Sequence, residues 1–120
     1  MNLNYKKMTT FYHNPRCSKS REALKLLEEK GETIEIVEYL KKPPSEQELK
    51  QIIELLRIKP ADLLRTQEAE WKENYKGMDL SDDQIIEAML KFPKLIERPI
   101  AIKGTHAVIG RPPFKVLDIL

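Results

Sequence analysis

The sequence contains a single cysteine, Cys17, among its 120 residues. One cysteine cannot form a disulfide within the chain, which fits a reducing compartment. The two histidines, His13 and His106, together with one cysteine give no spacing typical of a zinc site. We therefore predict a protein with neither an internal disulfide nor a bound metal.

Long apolar runs are also missing. No segment approaches the roughly 20 apolar residues that a transmembrane helix needs, so we expect no membrane partner. Lys6 and Lys7 near the N-terminus are not followed by an apolar stretch or a small-residue cleavage site, and we expect no signal peptide. These features, with the lone cysteine, predict a cytoplasmic protein.

The chain has no large excess of charge of one sign. It carries 21 basic and 19 acidic residues, and its net charge is +2. The two signs interleave along the chain, whereas nucleic-acid-binding proteins usually carry a concentrated basic patch; we therefore expect no nucleic acid partner. A hydrophobic fraction of 41% is typical of a folded protein, and the length suits a single domain over residues 1–120.

The N-terminal third predicts a β-α-β unit. A strand is predicted over Thr9–Tyr12, where the residues are β-branched or aromatic. A helix follows from Ser18 to about Lys30, and a second strand spans about Thr33–Tyr39, with Ile34 and Ile36 alternating against a polar neighbour. This order favours two parallel strands joined by a right-handed crossover.

The middle of the chain, about residues 45–92, is predicted to be a helical insertion. Residues 45–48 and 81–84 each form a capping box that starts a helix. Pro60 suits the first turn of a short helix through Leu64, and residues 74–79 are predicted to form a turn. After the first capping box, apolar residues recur at the spacing of one buried helix face: Leu49, Ile52, Ile53 and Leu56.

The C-terminal part returns to strands. Ile100–Ile102 and Ala107–Ile109, separated by a glycine-containing turn, predict a hairpin, and Pro112-Pro113 opens a last helix. The order β-α-β, helical insertion, β-β-α predicts an α/β protein of thioredoxin-like topology. We expect a mixed four-stranded sheet with flanking helices.

Cys17 lies between the first predicted strand and the first predicted helix. A helix N-terminus offers unpaired N–H groups and a partial positive charge, and Arg16, Lys19 and Arg21 add cations nearby. Such surroundings lower a cysteine pKa from about 8.5 to roughly 3.5–7.5. A lone cysteine can also be a small buried core residue, but this placement predicts a reactive, catalytic thiolate.

Two neighbours of Cys17 are candidate supporting residues. Ser20 stands where a Cys-x-x-Cys protein has its second thiol, so any redox cycle must take a thiol from another molecule. Its hydroxyl either donates to the Cys17 sulfur or belongs to an ordinary first-turn residue. His13 either tunes the thiolate and moves a proton or is a structural histidine at a strand end.

Three further arginines lie at predicted strand ends and turns. They are Arg65 after the short helix, Arg98 before the third strand and Arg111 after the fourth. Each alone is typical of a solvated surface cation. Together they predict an oxyanion site, because the planar guanidinium binds two oxygens at once.

These segments resemble a known family. Residues 12–21, Tyr-His-Asn-Pro-Arg-Cys-Ser-Lys-Ser-Arg, resemble the active-site loop of the glutaredoxin-linked ArsC arsenate reductases, closest to an arsenate-reductase-like branch. Segments 63–65, 97–100 and 110–113 resemble the three anion-binding arginine segments of that family, in the same order. The closing residues 116–120 match as well, so the resemblance runs from about Thr9 onward.

The resemblance implies a mechanism. Cys17 would attack arsenate held by Arg65, Arg98 and Arg111, glutathione would attack the resulting adduct, and glutaredoxin would complete reduction to arsenite. Glutathione would be a co-substrate, and no bound cofactor is expected. The family also has a cis-proline that faces the cysteine, which here would be Pro99.

Two other functions stay open from the sequence. An Spx-type transcriptional regulator, which binds RNA polymerase, shares the fold and the segment around Arg98-Pro99-Ile100. That group commonly uses a Cys-x-x-Cys switch, which Ser20 excludes here. A glutathione-dependent thiol oxidoreductase without arsenate activity would keep Cys17 but would not need all three arginines.

Overall fold

The computed structural model describes residues 8–120, which form two compact units. We call residues up to Glu38 together with Arg98–Leu120 the sheet unit, and Tyr39–Glu97 the helical unit. None of the helices in the described part of the chain is both long and apolar enough to cross a bilayer. The strands are β1 (Thr9–His13), β2 (Ile34–Glu38), β3 (Ile100–Lys103) and β4 (His106–Ile109), and the helices are α1 (Ser18–Glu29), α2 (Glu46–Leu56), α3 (Ala69–Asn74) and α4 (Asp82–Lys91).

The sheet unit contains a mixed four-stranded sheet in the order β2-β1-β3-β4. β1 pairs with β2 in parallel, as the β-α-β pattern predicts, and β3 pairs antiparallel with β1 and β4. Tyr12 at the end of β1 lies opposite Ile100 at the start of β3. The predicted α/β, thioredoxin-like class is therefore confirmed.

One face of this sheet is covered by α1 and by a C-terminal 3-10 helix, Pro113–Ile119. The last helix predicted from the sequence is thus of the tighter 3-10 kind. Each large apolar side chain in this core contributes about 1.5–3 kcal/mol by leaving water. The packing fixes where α1 begins relative to the end of β1. The core side chains are Phe11, Ala23, Leu27, Ala101, Val116 and Ile119.

The helical unit is built on α2 and α4, which pack against each other. Both predicted capping boxes are present. Ser45 Oγ accepts from the Glu48 N–H at 3.1 Å, and Ser81 Oγ accepts from the Gln84 N–H at 3.2 Å. The predicted apolar spacing faces the core, since Leu49, Ile52 and Ile53 are buried while Leu56 is half-buried.

Between these helices the chain differs in part from the expectation. A 3-10 helix, Pro60–Leu63, replaces the short helix predicted through Leu64, and α3 was not predicted. Helix α3 has no buried residue, so its sequence lacks the apolar period that reveals a helix. Trp71 on α3 instead stacks on Tyr75 at 5.3 Å between ring centroids.

Candidate active site

Cys17 occupies the N-cap position of α1, in extended backbone conformation with φ −94° and ψ 120°. Its carbonyl accepts the first helical bond, from the Arg21 N–H at 3.0 Å. The side chain is half-buried and lies where the first-turn N–H groups of a helix are exposed to a neighbouring anion. The thiol is therefore placed to be stabilised as its anion.

The surroundings of Cys17 lower its pKa. Burial alone raises the pKa of the thiol, but four groups oppose it and prevail. The backbone N–H groups of Ser20 and Lys19 hydrogen-bond to the sulfur, Arg111 acts by its charge, and the Arg98 side chain by a hydrogen bond. Each favours the thiolate, which is the nucleophilic form of cysteine.

Arg98 and Arg111 reach Cys17 because of the sheet topology. β3 and β4 pair antiparallel, with Ile100 opposite Ile109, so the residues just before β3 and just after β4 meet at one edge. Arg111 Nη2 lies 3.5 Å from Cys17 Sγ. Arg111 Nε donates to the Arg98 carbonyl at 2.8 Å, and this bond holds the guanidinium in place beside the sulfur.

Pro99 directly follows Arg98 in the chain and is fully buried. The Arg98–Pro99 peptide bond is cis, and so is Arg111–Pro112. The Gly110 N–H donates to the Pro99 carbonyl at 2.8 Å. A Cβ on Gly110 would lie 2.8 Å from Pro99 Cγ and 2.9 Å from Val116 Cγ1, so only glycine allows this approach.

Ser20 and His13 form a buried pair beneath the cysteine loop. Ser20 Oγ lies 2.6 Å from His13 Nδ1 and accepts from the Asn14 N–H at 3.1 Å. The hydroxyl hydrogen is therefore available to donate to Nδ1 of a neutral imidazole. The Ser20 hydroxyl therefore bonds to His13 and Asn14 and not to the cysteine. The Ser20 backbone N–H is the group that hydrogen-bonds to the Cys17 sulfur.

The surroundings of His13 favour its neutral imidazole over the protonated form. Burial is the largest influence on its pKa and lowers it. Glu38 and Glu28 act in the opposite sense, Arg21 lowers the pKa further, and the net change is downward. A neutral imidazole next to the hydroxyl of Ser20 stabilises the turn that presents the sulfur.

Asn14 is a further site residue, which the sequence analysis included only as part of the loop of residues 12–21. It is 6% exposed, its Oδ1 accepts from the Arg16 N–H at 3.0 Å, and its carbonyl accepts from the Cys17 N–H at 2.9 Å. These bonds close a turn with Pro15 at its second position. In the sequence, the Asn14-Pro15 pair was the feature that could have indicated this turn.

Arg65 lies in the helical unit, between two carboxylates. Its Nε donates to Glu68 at 3.1 Å and its Nη1 to Glu97 at 2.6 Å, with the arginine side chain 12% exposed. Burial lowers the pKa of Arg65, but the bonds and charges of Glu97 and Glu68 outweigh it and raise the pKa. The sequence pattern indicated Arg65 as a site residue but neither of its acidic partners.

Among residues 8–120, no three His, Cys, Asp or Glu side chains gather as they would around a metal ion. The chemistry visible in the sheet unit is that of a thiolate beside two guanidinium groups. Such a set can attack an electrophilic centre and hold its oxygens.

Comparison with known proteins places the chain in a family. The family model of the ArsC family matches residues 12–119. An arsenate reductase of Haemophilus influenzae is 47% identical, covering 91% of this chain and 96% of that protein; the uncharacterized protein YfgD of Escherichia coli K12 is 45% identical, covering 95% and 98%. An arsenate reductase structure from Vibrio cholerae superposes with a TM-score of 0.91 at 43% identity, covering 97% of this chain and all of that one. The chain belongs to the ArsC family.

Proposed function

We propose that this protein is an arsenate reductase in which the Cys17 thiolate is the nucleophile. The observation that carries the proposal is the approach of Arg111 Nη2 to 3.5 Å from Cys17 Sγ, together with the lowered pKa of that thiol. The names of the similar proteins, arsenate reductases of Haemophilus influenzae and Vibrio cholerae, support arsenate as the oxyanion.

In the first step the sulfur forms a bond to arsenic. The guanidinium groups of Arg98 and Arg111, and of Arg65 by the family resemblance, hold the arsenate oxygens and spread their charge. One oxygen takes up protons and leaves as water as the S–As bond forms. Arsenic stays in its pentavalent state in this adduct.

The reduction uses thiols from outside the chain, because the sequence has one cysteine. Glutathione displaces a second oxygen as water and bonds to arsenic. A glutaredoxin thiolate then attacks the glutathione sulfur, the S–As electron pair stays on arsenic, and a glutaredoxin–glutathione disulfide leaves. Hydrolysis of the trivalent adduct releases arsenite and returns the Cys17 thiolate. We place this glutathione-dependent reaction in the reducing cytoplasm.

The test is arsenate-dependent NADPH oxidation with glutathione, glutaredoxin and glutathione reductase. We expect turnover by the native chain and none by Cys17→Ser. A matched double variant, Cys17→Ser with Ser18→Cys, keeps one thiol but moves it off the N-cap, and it should also be inactive.

An active Cys17→Ser protein, or a native chain without arsenate turnover, would overturn the proposal. Reduction of glutathione mixed disulfides by a chain inactive on arsenate would point to the thiol oxidoreductase instead. Stoichiometric capture of the RNA polymerase α subunit by such a chain would point to the regulator.

A further inference from the structure

Two basic residues beside Cys17 carry charged groups that the active site described so far does not use. Arg16 directly precedes Cys17, and its backbone N–H donates to Asn14 Oδ1 at 3.0 Å. Lys19 hydrogen-bonds to the Cys17 sulfur, also through its backbone N–H. Both residues are exposed. The bonds that place them in the loop therefore use main-chain atoms and do not involve the guanidinium or the ammonium group.

Arg21, the third cation of this segment, has a different role. Its Nη1 donates to the Pro15 carbonyl at 2.9 Å, so its side chain helps to close the turn before Cys17. The two guanidinium groups that lie against the sulfur are those that would hold the arsenate oxygens. Arg16 and Lys19 form a further, more exposed pair of cations, which we call the rim pair.

No acidic residue of the same segment balances the charge of the rim pair. The sequence has none between Met8 and Arg21, and the first turn of α1 contains none. A cation in the first turn of a helix also opposes the helix dipole, so the charge of Lys19 does not stabilise α1. These features favour an anionic ligand over a structural role for the two charges.

The proposed reaction indicates which anion this would be. The incoming thiol bonds to arsenic while arsenic is bonded to the Cys17 sulfur, so the rest of that thiol lies over the loop that carries Cys17. Arg16 adjoins Cys17 in the chain and the Lys19 N–H contacts its sulfur, so both side chains begin close to the bond that forms. Glutathione carries a carboxylate at each end, and both are ionised at neutral pH.

We propose that Arg16 and Lys19 bind the carboxylates of the incoming small thiol and so make the enzyme selective for anionic thiols. This inference rests on the proposed function, in which a second thiol bonds to arsenic on Cys17. Exposed cations at the edge of a site act on encounter and affinity, and salt screens them. The effect should therefore appear as a preference among thiols that weakens as the ionic strength rises.

The test compares glutathione with its diethyl ester, which keeps the thiol and lacks both carboxylate charges. Arsenite formation is followed with reduced glutaredoxin in excess. We expect the native chain to use glutathione with a higher kcat/KM than the ester. The rim variant, Arg16→Gln with Lys19→Gln, should lose about five-fold of this preference. A changed pKa of Cys17 would alter both reactions alike and would leave the preference intact.

The matched control is Lys25→Gln with Lys30→Gln, which removes the same charge from exposed positions further along α1 and at its C-terminal end. This control should keep the native preference. Added salt should reduce the preference of the native chain more than that of the rim variant. A native chain without preference for glutathione, or an equal preference in the rim variant, would overturn the inference and leave the proposed function intact.

If the native chain reduces no arsenate, disulfide exchange still decides the inference. The Cys17 thiolate attacks glutathione disulfide, forms a mixed disulfide with one glutathione and releases the other as its thiolate. Mass spectrometry measures the rate, and hydroxyethyl disulfide is the uncharged reference. A fall in the ratio of the two rates in the rim variant would support the inference, and an unchanged ratio would reject it.

Discussion

The residues around Cys17 divide into those that stabilise its charge and those that hold its loop. Arg98, Arg111 and the first-turn N–H groups of α1 lower the pKa of the thiol. His13 and Ser20 lie beneath the loop and are buried. A fixed loop keeps the thiol pKa low, because the effect of a dipole or a charge on the sulfur weakens as the distance grows.

His13 should make the protein less stable in mild acid. Its pKa in the folded state lies below the ordinary 6.5, so the unfolded chain binds a proton more readily. The stabilising contribution is complete above 6.5 and is lost as the pH falls through the folded-state pKa. Urea unfolding between pH 7.5 and 5 measures this.

The His13→Gln variant is the comparison for that experiment. It should lose the part of the pH dependence that falls in this window. Identical pH profiles for the native and variant chains would show that His13 titrates alike in the folded and unfolded states, contrary to our account.

Ser20→Ala should lower the free energy of unfolding by about 1–3 kcal/mol, because it leaves the buried Asn14 N–H and the His13 imidazole without a partner. Ser18→Ala is the control, since Ser18 is exposed at the start of the same helix and should change stability by less than about 0.5 kcal/mol. Equal denaturation midpoints for the two variants would contradict the buried network.

Arg98→Lys should fold normally but lose activity by about 10- to 100-fold, because an ammonium group cannot bind two oxygens of one anion. Arsenate turnover and circular dichroism measure the two properties. Arg57→Lys, at an exposed arginine of the helical unit, should keep native activity. Full activity of Arg98→Lys would argue against an oxyanion clamp.

At the scale of elements, the β3–β4 hairpin brings Arg98 and Arg111 together only if Gly110 has no side chain. The Gly110→Ala variant places a methyl group 2.8 Å from Pro99 Cγ. Overpacking of this kind costs about 1–3 kcal/mol, and the shift of Pro99 should also reduce arsenate turnover. A variant with native thermal stability and native turnover would contradict this account of the hairpin.

The elements that the sequence predicts well are those with strong local signals. Both capping boxes and the apolar period of α2 are short-range patterns, and the structure confirms them. β2 is different: Ile34 and Ile36 alternate, yet Ile36 is 46% exposed. β2 is an edge strand of the sheet. The alternation of apolar and polar residues predicts a strand, but it does not predict how much of an edge strand is buried.

For the molecule as a whole, the candidate site was predictable where its residues adjoin one another in the chain. The loop around Cys17 was predictable from its own residues and from its place between a predicted strand and a predicted helix. The approach of Arg98 and Arg111 depends on how the strands pair. Their places at predicted strand ends and the family resemblance both indicated an oxyanion site. The pairing of Arg65 with Glu97 was not predictable from local spacing, because the two residues are 32 apart in the chain. Glu68 lies only three residues beyond Arg65, and that spacing was the available signal.

The central claim is that the guanidinium and helix N–H groups around Cys17 lower the pKa of its thiol and so favour the thiolate. The direct measurement is the rate of alkylation by iodoacetamide as a function of pH, which reports one sulfur because the chain has one cysteine. The rate follows the thiolate fraction, so its midpoint is the pKa. We predict a midpoint below that of an ordinary cysteine, and an upward shift in Arg111→Gln. A midpoint equal to that of a free thiol, unmoved by Arg111→Gln, would contradict the account.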